Sequence, residues 1–127
     1  AFEPHPGNFA RMGRNLALNG LENAVTAEPL AVGDEARSIT FTIPADGRLS
    51  DVSSAVGTFS RGHYGIPYKD VSVQQVDLDG YVRGRPLPPV DLMKIDVEYY
   101  ETAVLRGARR LLEDAGPVVL MEVFNYD

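Results

Sequence analysis

Cysteine is absent from this 127-residue chain, which excludes a disulfide framework, a thiolate metal site and a cysteine nucleophile. No run of about 18 apolar residues occurs, so no segment reads as a membrane-spanning helix. Basic residues are outnumbered, with 12 Lys and Arg against 18 Asp and Glu and a formal net charge of -6. That balance, without a long Lys/Arg cluster, makes nucleic acid a poor partner, because binding to its backbone depends on neutralising phosphate charge. The two histidines, His5 and His63, have no paired spacing to support a zinc site. P-loop, GxGxxG and GxSxG patterns are missing as well. AFEPHPGNF lacks the basic region and apolar core of a secretory signal, and with the absent cysteine this sets the expectation of a cytoplasmic protein.

The residues present, 44% hydrophobic and 24% charged, suit a single globular domain over residues 1–127. The chain opens without Met inside what reads as the end of a strand, and it closes on VVLMEVFNYD without a terminating element. The expectation is therefore a piece of a longer protein.

Pro6 suits a first helical turn and Asn19-Gly20 a left-handed stop. Between them Phe9, Met12 and Leu16 form one apolar stripe, which predicts a short amphipathic helix. PLAVGD reads as a short strand ending at Gly33 and Asp34. RSITFTIP alternates with β-branched enrichment and predicts a strand with one wet face, paired to a strand marked by Val71, Val73 and Val76. A single helical turn is expected from Asp77 to Val82, and residues 49–69 read mostly as loop. Val90 to Val97 and PVVLMEV read as buried strands. Glu101 to Ala115 between them carries an apolar face of Val104, Leu105, Ala108, Leu111, Leu112 and Ala115, with Gly116 and Pro117 as its stop. Strand, helix, strand at both ends of the chain predicts an α/β domain with a mainly parallel sheet and added antiparallel strands.

Ligands of such sheets lie at the carboxyl ends of the strands, which singles out four acidic residues. Glu3, between a strand end and a helix start, could accept the hydroxyls of a ribose or simply favour the positive end of the helix. Asp34 after Gly33 could accept a hydrogen bond from an exocyclic amine or serve as a turn residue. Asp96 and Glu98, two apart on an expected strand, would point to one side. Such a pair could bind a cation, receive an ammonium group or act as a base toward a hydroxyl, and equally could cap a turn and a helix. Lys94 could neutralise Asp96. His63 in SRGHYG is a further acid or base candidate, or polar loop surface.

Taken in order, AFEPHPGNFARMGRNLALNG, AVGD, VSVQQVDLDGYV and VDLMKIDVEYYETAVLRGARRLL resemble the FkbM-type S-adenosylmethionine-dependent methyltransferases over nearly the whole chain. The resemblance implies a class I, Rossmann-like sheet and O-methylation of a hydroxyl on a sugar, glycolipid or polyketide-type acceptor. It implies that Glu3 holds the cofactor ribose and that Gly33 and Asp34 form the adenine-side turn. Asp96 and Glu98 would lie at the methionine end and the substrate entrance, with Glu101 serving to cap a helix. It also implies a first strand and glycine-rich loop before Ala1 and further strands after Asp127, so the chain alone should bind the cofactor poorly. Tyr99 departs from the family pattern, which has glycine there. The rival readings are a nicotinamide-dependent Rossmann enzyme, in which Glu3 would also hold a ribose, and a noncatalytic binding domain.

Overall fold

A computed structural model describes residues 1–46 and 67–122. His63 and most of the expected 49–69 loop lie outside the described residues. The chain divides into two compact units, one of Ala1–Ala31 and Ser38–Gln74 and the other of Val32–Arg37 and Gln75–Asp127.

In the first unit, α1 (Pro6–Leu18) starts and stops where Pro6 and Asn19-Gly20 predict, with Gly20 at φ +66°. Its N-cap is His5, whose Nδ1 accepts from the backbone N–H groups of Gly7 and Asn8 at 3.0 and 3.2 Å. An imidazole thus satisfies two donors that a helix start ordinarily leaves to Ser, Thr, Asp or Asn. Phe2 bridges Glu28 in parallel.

The strands β1 (Ala31–Val32), β2 (Arg37–Pro44) and β3 (Tyr68–Val76) form a sheet in the order β1-β3-β2. The expected pairing of β2 with β3 is present, and its direction follows from three contacts. Ser38 meets Ser72, Thr42 donates to Asp70, and the Ala45 N–H donates to the Pro67 carbonyl, so one strand ascends as the other descends. Ala31, Phe41, Ile43 and Val73 bury one side of this sheet, with Ile39 and Val71 packed against them. The wet face expected for β2 is closed at Thr42, which is buried and satisfies its hydroxyl on Asp70 at 2.9 Å.

In the second unit, Asp77 caps the short helix α2 (Leu78–Val82). β4 (Leu92–Ile95) and β5 (Val118–Met121) pair in parallel, the crossover geometry that a strand, helix, strand pattern predicts. The two were expected to be buried, yet Leu92, Val118 and Leu120 are exposed while Ile95 is buried. Among the described residues β4 and β5 pair only with each other, so their outward side chains gain no cover from a neighbouring strand.

The expected helix from Glu101 to Ala115 is two, α3 (Glu101–Gly107) and α4 (Arg109–Ala115), broken at Ala108. At the end of α3 the chain makes a close approach that periodicity does not register. A Cβ on Gly107 would lie 1.9 Å from the Gly33 carbonyl oxygen, so the chain passes there against backbone. The break at Ala108 turns the next N–H groups away from α3, and the Asp79 carboxylate accepts from Arg110 and Leu111 at 3.0 and 2.9 Å. α2 packs on both α3 and α4, and a side chain from its first turn thereby replaces the hydrogen bonds that the break removes. The observed architecture is α/β with small sheets.

Candidate functional site

The turn Gly33–Asp34–Glu35 joins β1 to β2 and is held from several sides. Gly33 N–H donates to the Val76 carbonyl at 2.9 Å. The Gln75 side chain packs against Gly33 so closely that a Cβ there would lie 2.3 Å from its Cδ. Gln75 Nε2 donates to the Glu35 carbonyl at 2.8 Å. Arg37 reaches back along the exposed side of the turn, with Nη1 on Glu35 Oε1 at 2.5 Å and Nη2 on Asp34 Oδ1 at 3.3 Å. Its Nη2 also lies 3.4 Å from the Tyr100 hydroxyl. That hydroxyl first, and then the Glu35 and Asp34 carboxylates, hold the guanidinium above its ordinary pKa.

Arg37 therefore ties the Asp34 turn to the segment that follows β4. That segment departs from what a strand would give. β4 ends at Ile95, and Glu98 and Tyr99 then take φ values of +46° and +68°. The expectation that Asp96 and Glu98 share one face by strand periodicity fails, because the two-residue repeat ends before Asp96 and the backbone turns left-handed at Glu98. Asp96 Oδ2 accepts from Lys94 Nζ at 2.6 Å, the pairing expected from the sequence. Both partners are about half exposed, with side-chain accessibilities of 59% and 46%, so the pair stabilises the fold by roughly 0 to 1 kcal/mol. Glu101 Oε1 accepts from the Tyr99 N–H at 3.0 Å, which ties the head of α3 to the turn before it; the capping role expected of Glu101 is not seen, since no side chain of the N-cap region caps the helix and the donor lies ahead of it.

Two successive left-handed residues, neither of them glycine, carry a steric cost of about 1 to 2 kcal/mol each. Tyr99 is the position where a glycine would relieve half of it. Replacing Tyr99 with glycine is expected to raise the unfolding free energy by about 1 kcal/mol relative to Tyr99→Ala, since both variants lose the ring and only one loses the Cβ clash. Urea denaturation of the two variants measures this difference. Equal stability would mean that the backbone at Tyr99 is not strained.

In the first unit, Glu3 Oε1 accepts from the His5 N–H at 2.8 Å, which fixes the carboxylate at the head of α1. Beside it lies a cleft of about 340 Å³, lined by Glu3 together with Asn8, Arg11, Met12, Asn15 and Leu16 among others. The helix-end reading of Glu3 and its availability to a ligand are compatible, because the contact to His5 uses Oε1.

Of the residues singled out from sequence, Glu3 thus stands in one unit, Gly33, Asp34, Asp96 and Glu98 stand in the other, and His63 lies outside the described residues. Sequence reading missed Gln75, Arg37 and Tyr100. Only the tightness implied by Gly33 hinted at a partner, since the partners are 40 and 63 residues apart in the chain.

No group of three or more acidic or histidine side chains that could hold a metal ion occurs among the described residues. No described helix is long and apolar enough to cross a membrane. No curated protein and no solved structure matches the chain. A family model described as a methyltransferase FkbM domain matches residues 1–126, nearly the whole of the sequence that carries the Asp34 turn and the Asp96–Glu101 segment; the chain belongs to the FkbM methyltransferase family.

Proposed function

We propose that this methyltransferase uses S-adenosylmethionine to methylate a hydroxyl group on a sugar, glycolipid or polyketide-type acceptor, on a Rossmann-like class I sheet. The observation that carries the reading is the family match over residues 1–126. The residues present fit the cofactor's parts. The Glu3 carboxylate, oriented by His5 beside an open cleft, suits the two hydroxyls of a ribose, which need acceptors. Asp34, held on a turn where Gly33 admits close approach, suits the adenine amine. Asp96 and Glu98 follow the carboxyl end of β4, where α/β sheets bind ligands. The lack of cysteine supports a cytoplasmic setting.

Bound S-adenosylmethionine supplies an electrophilic methyl group, so the protein's main task is alignment of the attacking oxygen, an effect that can contribute about 7 to 11 kcal/mol. Glu98 or Asp96 accepts the acceptor's hydroxyl proton or orients the hydroxyl, with His63 a further candidate base. A base adds roughly 100- to 10,000-fold.

The test is calorimetry of the full-length protein with S-adenosylmethionine, followed by transfer of labelled methyl to a panel of sugars, glycolipids and polyketide-type alcohols. Binding with incorporation into a hydroxyl-bearing acceptor is the expected result. Binding of a nicotinamide dinucleotide instead would overturn the cofactor, and tight binding of S-adenosylmethionine without turnover on any acceptor would favour a noncatalytic binding domain. Tyr99, in place of the family's glycine and at φ +68°, is the observation that keeps this second reading alive.

A further inference from the structure

Gln75 is a buried polar side chain to which methyl transfer as described assigns no part. It is 2% exposed, on a strand whose other inward residue nearby is Val73. An apolar residue would pack at such a position without any need for a partner, whereas a buried amide requires hydrogen bonds to offset its lost hydration. Gln75 makes one, from Nε2 to the Glu35 carbonyl at 2.8 Å, and its Oε1 has no partner among the described residues. The assignment of nitrogen and oxygen follows from that carbonyl, which can only accept. As a contribution to folding the amide is therefore half used. What it does fully is fix a turn: its body occupies the space a Cβ of Gly33 would need, and its donor pins the backbone one residue beyond Asp34. The other hold on the turn, through Arg37, is exposed and screened by water.

We propose that Gln75 is the positioning residue that aims Asp34 at the 6-amino group of the cofactor's adenine, and so sets selectivity for adenine. The inference rests on the assignment of Asp34 to the adenine amine. Gln75 itself touches no reacting atom.

The experiment compares the binding of S-adenosylhomocysteine with that of its analogue carrying hydrogen in place of the 6-amino group, by calorimetry on the full-length protein. The unaltered protein is expected to prefer the amino compound by about 10-fold or more, the scale of a hydrogen bond to a charged acceptor. Asp34→Ala should reduce that ratio to about threefold or less, and Gln75→Met, of similar length and volume, should do the same with Asp34 still in place. A substitution that only loosened the fold would weaken both compounds alike and leave the ratio unchanged. A ratio lost in Asp34→Ala but kept in Gln75→Met overturns the role of Gln75 alone; a ratio kept in Asp34→Ala overturns the assignment of Asp34 and this inference with it. Should Gln75→Met not fold, the side-chain amide resonance of Gln75 in the unaltered protein gives the answer. It should shift when the amino compound binds and stay still with its 6-unsubstituted analogue, and equal shifts would overturn the proposal.

Discussion

Gly107→Ala is expected to lower the unfolding free energy by about 3 kcal/mol, at the upper end of what inserting one extra carbon into a packed site costs. The added Cβ would lie 1.9 Å from the Gly33 carbonyl oxygen and 3.0 Å from its carbonyl carbon. Relief would require a shift of main chain rather than a rotation of a side chain, and the main chain concerned is the turn that carries Asp34. Gly107 is itself buried, and α2 packs on the helices to either side of it. The same substitution has the opposite sign elsewhere. Gly13 lies inside α1, where an added Cβ would meet nothing within 4 Å, so Gly13→Ala should raise stability by about 0.5 to 1 kcal/mol through helix propensity alone. Urea denaturation of both variants measures the contrast, and similar effects at the two sites would show that α3 does not press on the Gly33 carbonyl. On the proposed assignment of Asp34 to the cofactor's adenine, Gly107→Ala should also weaken cofactor binding in any fraction that remains folded.

Gly107 also shows where sequence reading stops. An apolar repeat of 3.6 residues runs on from Val104 to Ala115 regardless of the break at Ala108, because periodicity reports which residues could share a face and says nothing of what the backbone meets. On either side of the break the chain meets Gly33 and Asp79, both far away in the sequence. By contrast α1 was legible at both ends, since Pro6 and Asn19-Gly20 are local signals whose geometry needs no partner. Its cap was not, because His5 is not among the residue types that ordinarily accept from a helix start. β2 and β3 were legible as partners from alternation, but the burial of Thr42 depends on Asp70, which no pattern in RSITFTIP announces.

The candidate site divides along the same line. Ordered motifs singled out Glu3, Asp34, Asp96 and Glu98 as candidates, and the left-handed backbone at Glu98 and Tyr99 includes one position where the family has glycine. Neither glutamate nor tyrosine favours that conformation by itself, so the residues alone would not have revealed it. Gln75, Arg37 and Tyr100 were invisible for a different reason. Their contacts to the Asp34 turn join segments distant in sequence, and an isolated Gln, Arg or Tyr carries no spacing that names its partner.

On the proposed reading, the largest loss of activity should follow removal of the carboxylates after β4, and the two should fail differently. Asp96 is tied to Lys94 at 2.6 Å, so part of its charge is already answered, and its place directly after the strand suits holding the cofactor more than accepting a proton. Glu98 sits on strained left-handed backbone, and strain of that kind persists where a fold over-determines it, commonly at functional sites. Glu98→Gln keeps the size of the side chain and removes its basicity; it is expected to lower kcat by about 100-fold or more while cofactor Kd changes by less than about threefold, a difference smaller than one hydrogen bond. Asp96→Asn is expected to weaken cofactor binding by about 10-fold, the scale of a charge-assisted contact, with a smaller fall in kcat. If the two act as one unit, the double variant loses little more than Glu98→Gln alone, since groups that serve a single step are not additive. His63→Gln is the comparison for the third candidate and should leave kcat within a few-fold, because the roughly 100-fold effect of a base belongs to only one residue. Parental rates in both carboxylate variants would remove the base from this segment altogether, whereas a collapse confined to His63→Gln would transfer it to His63.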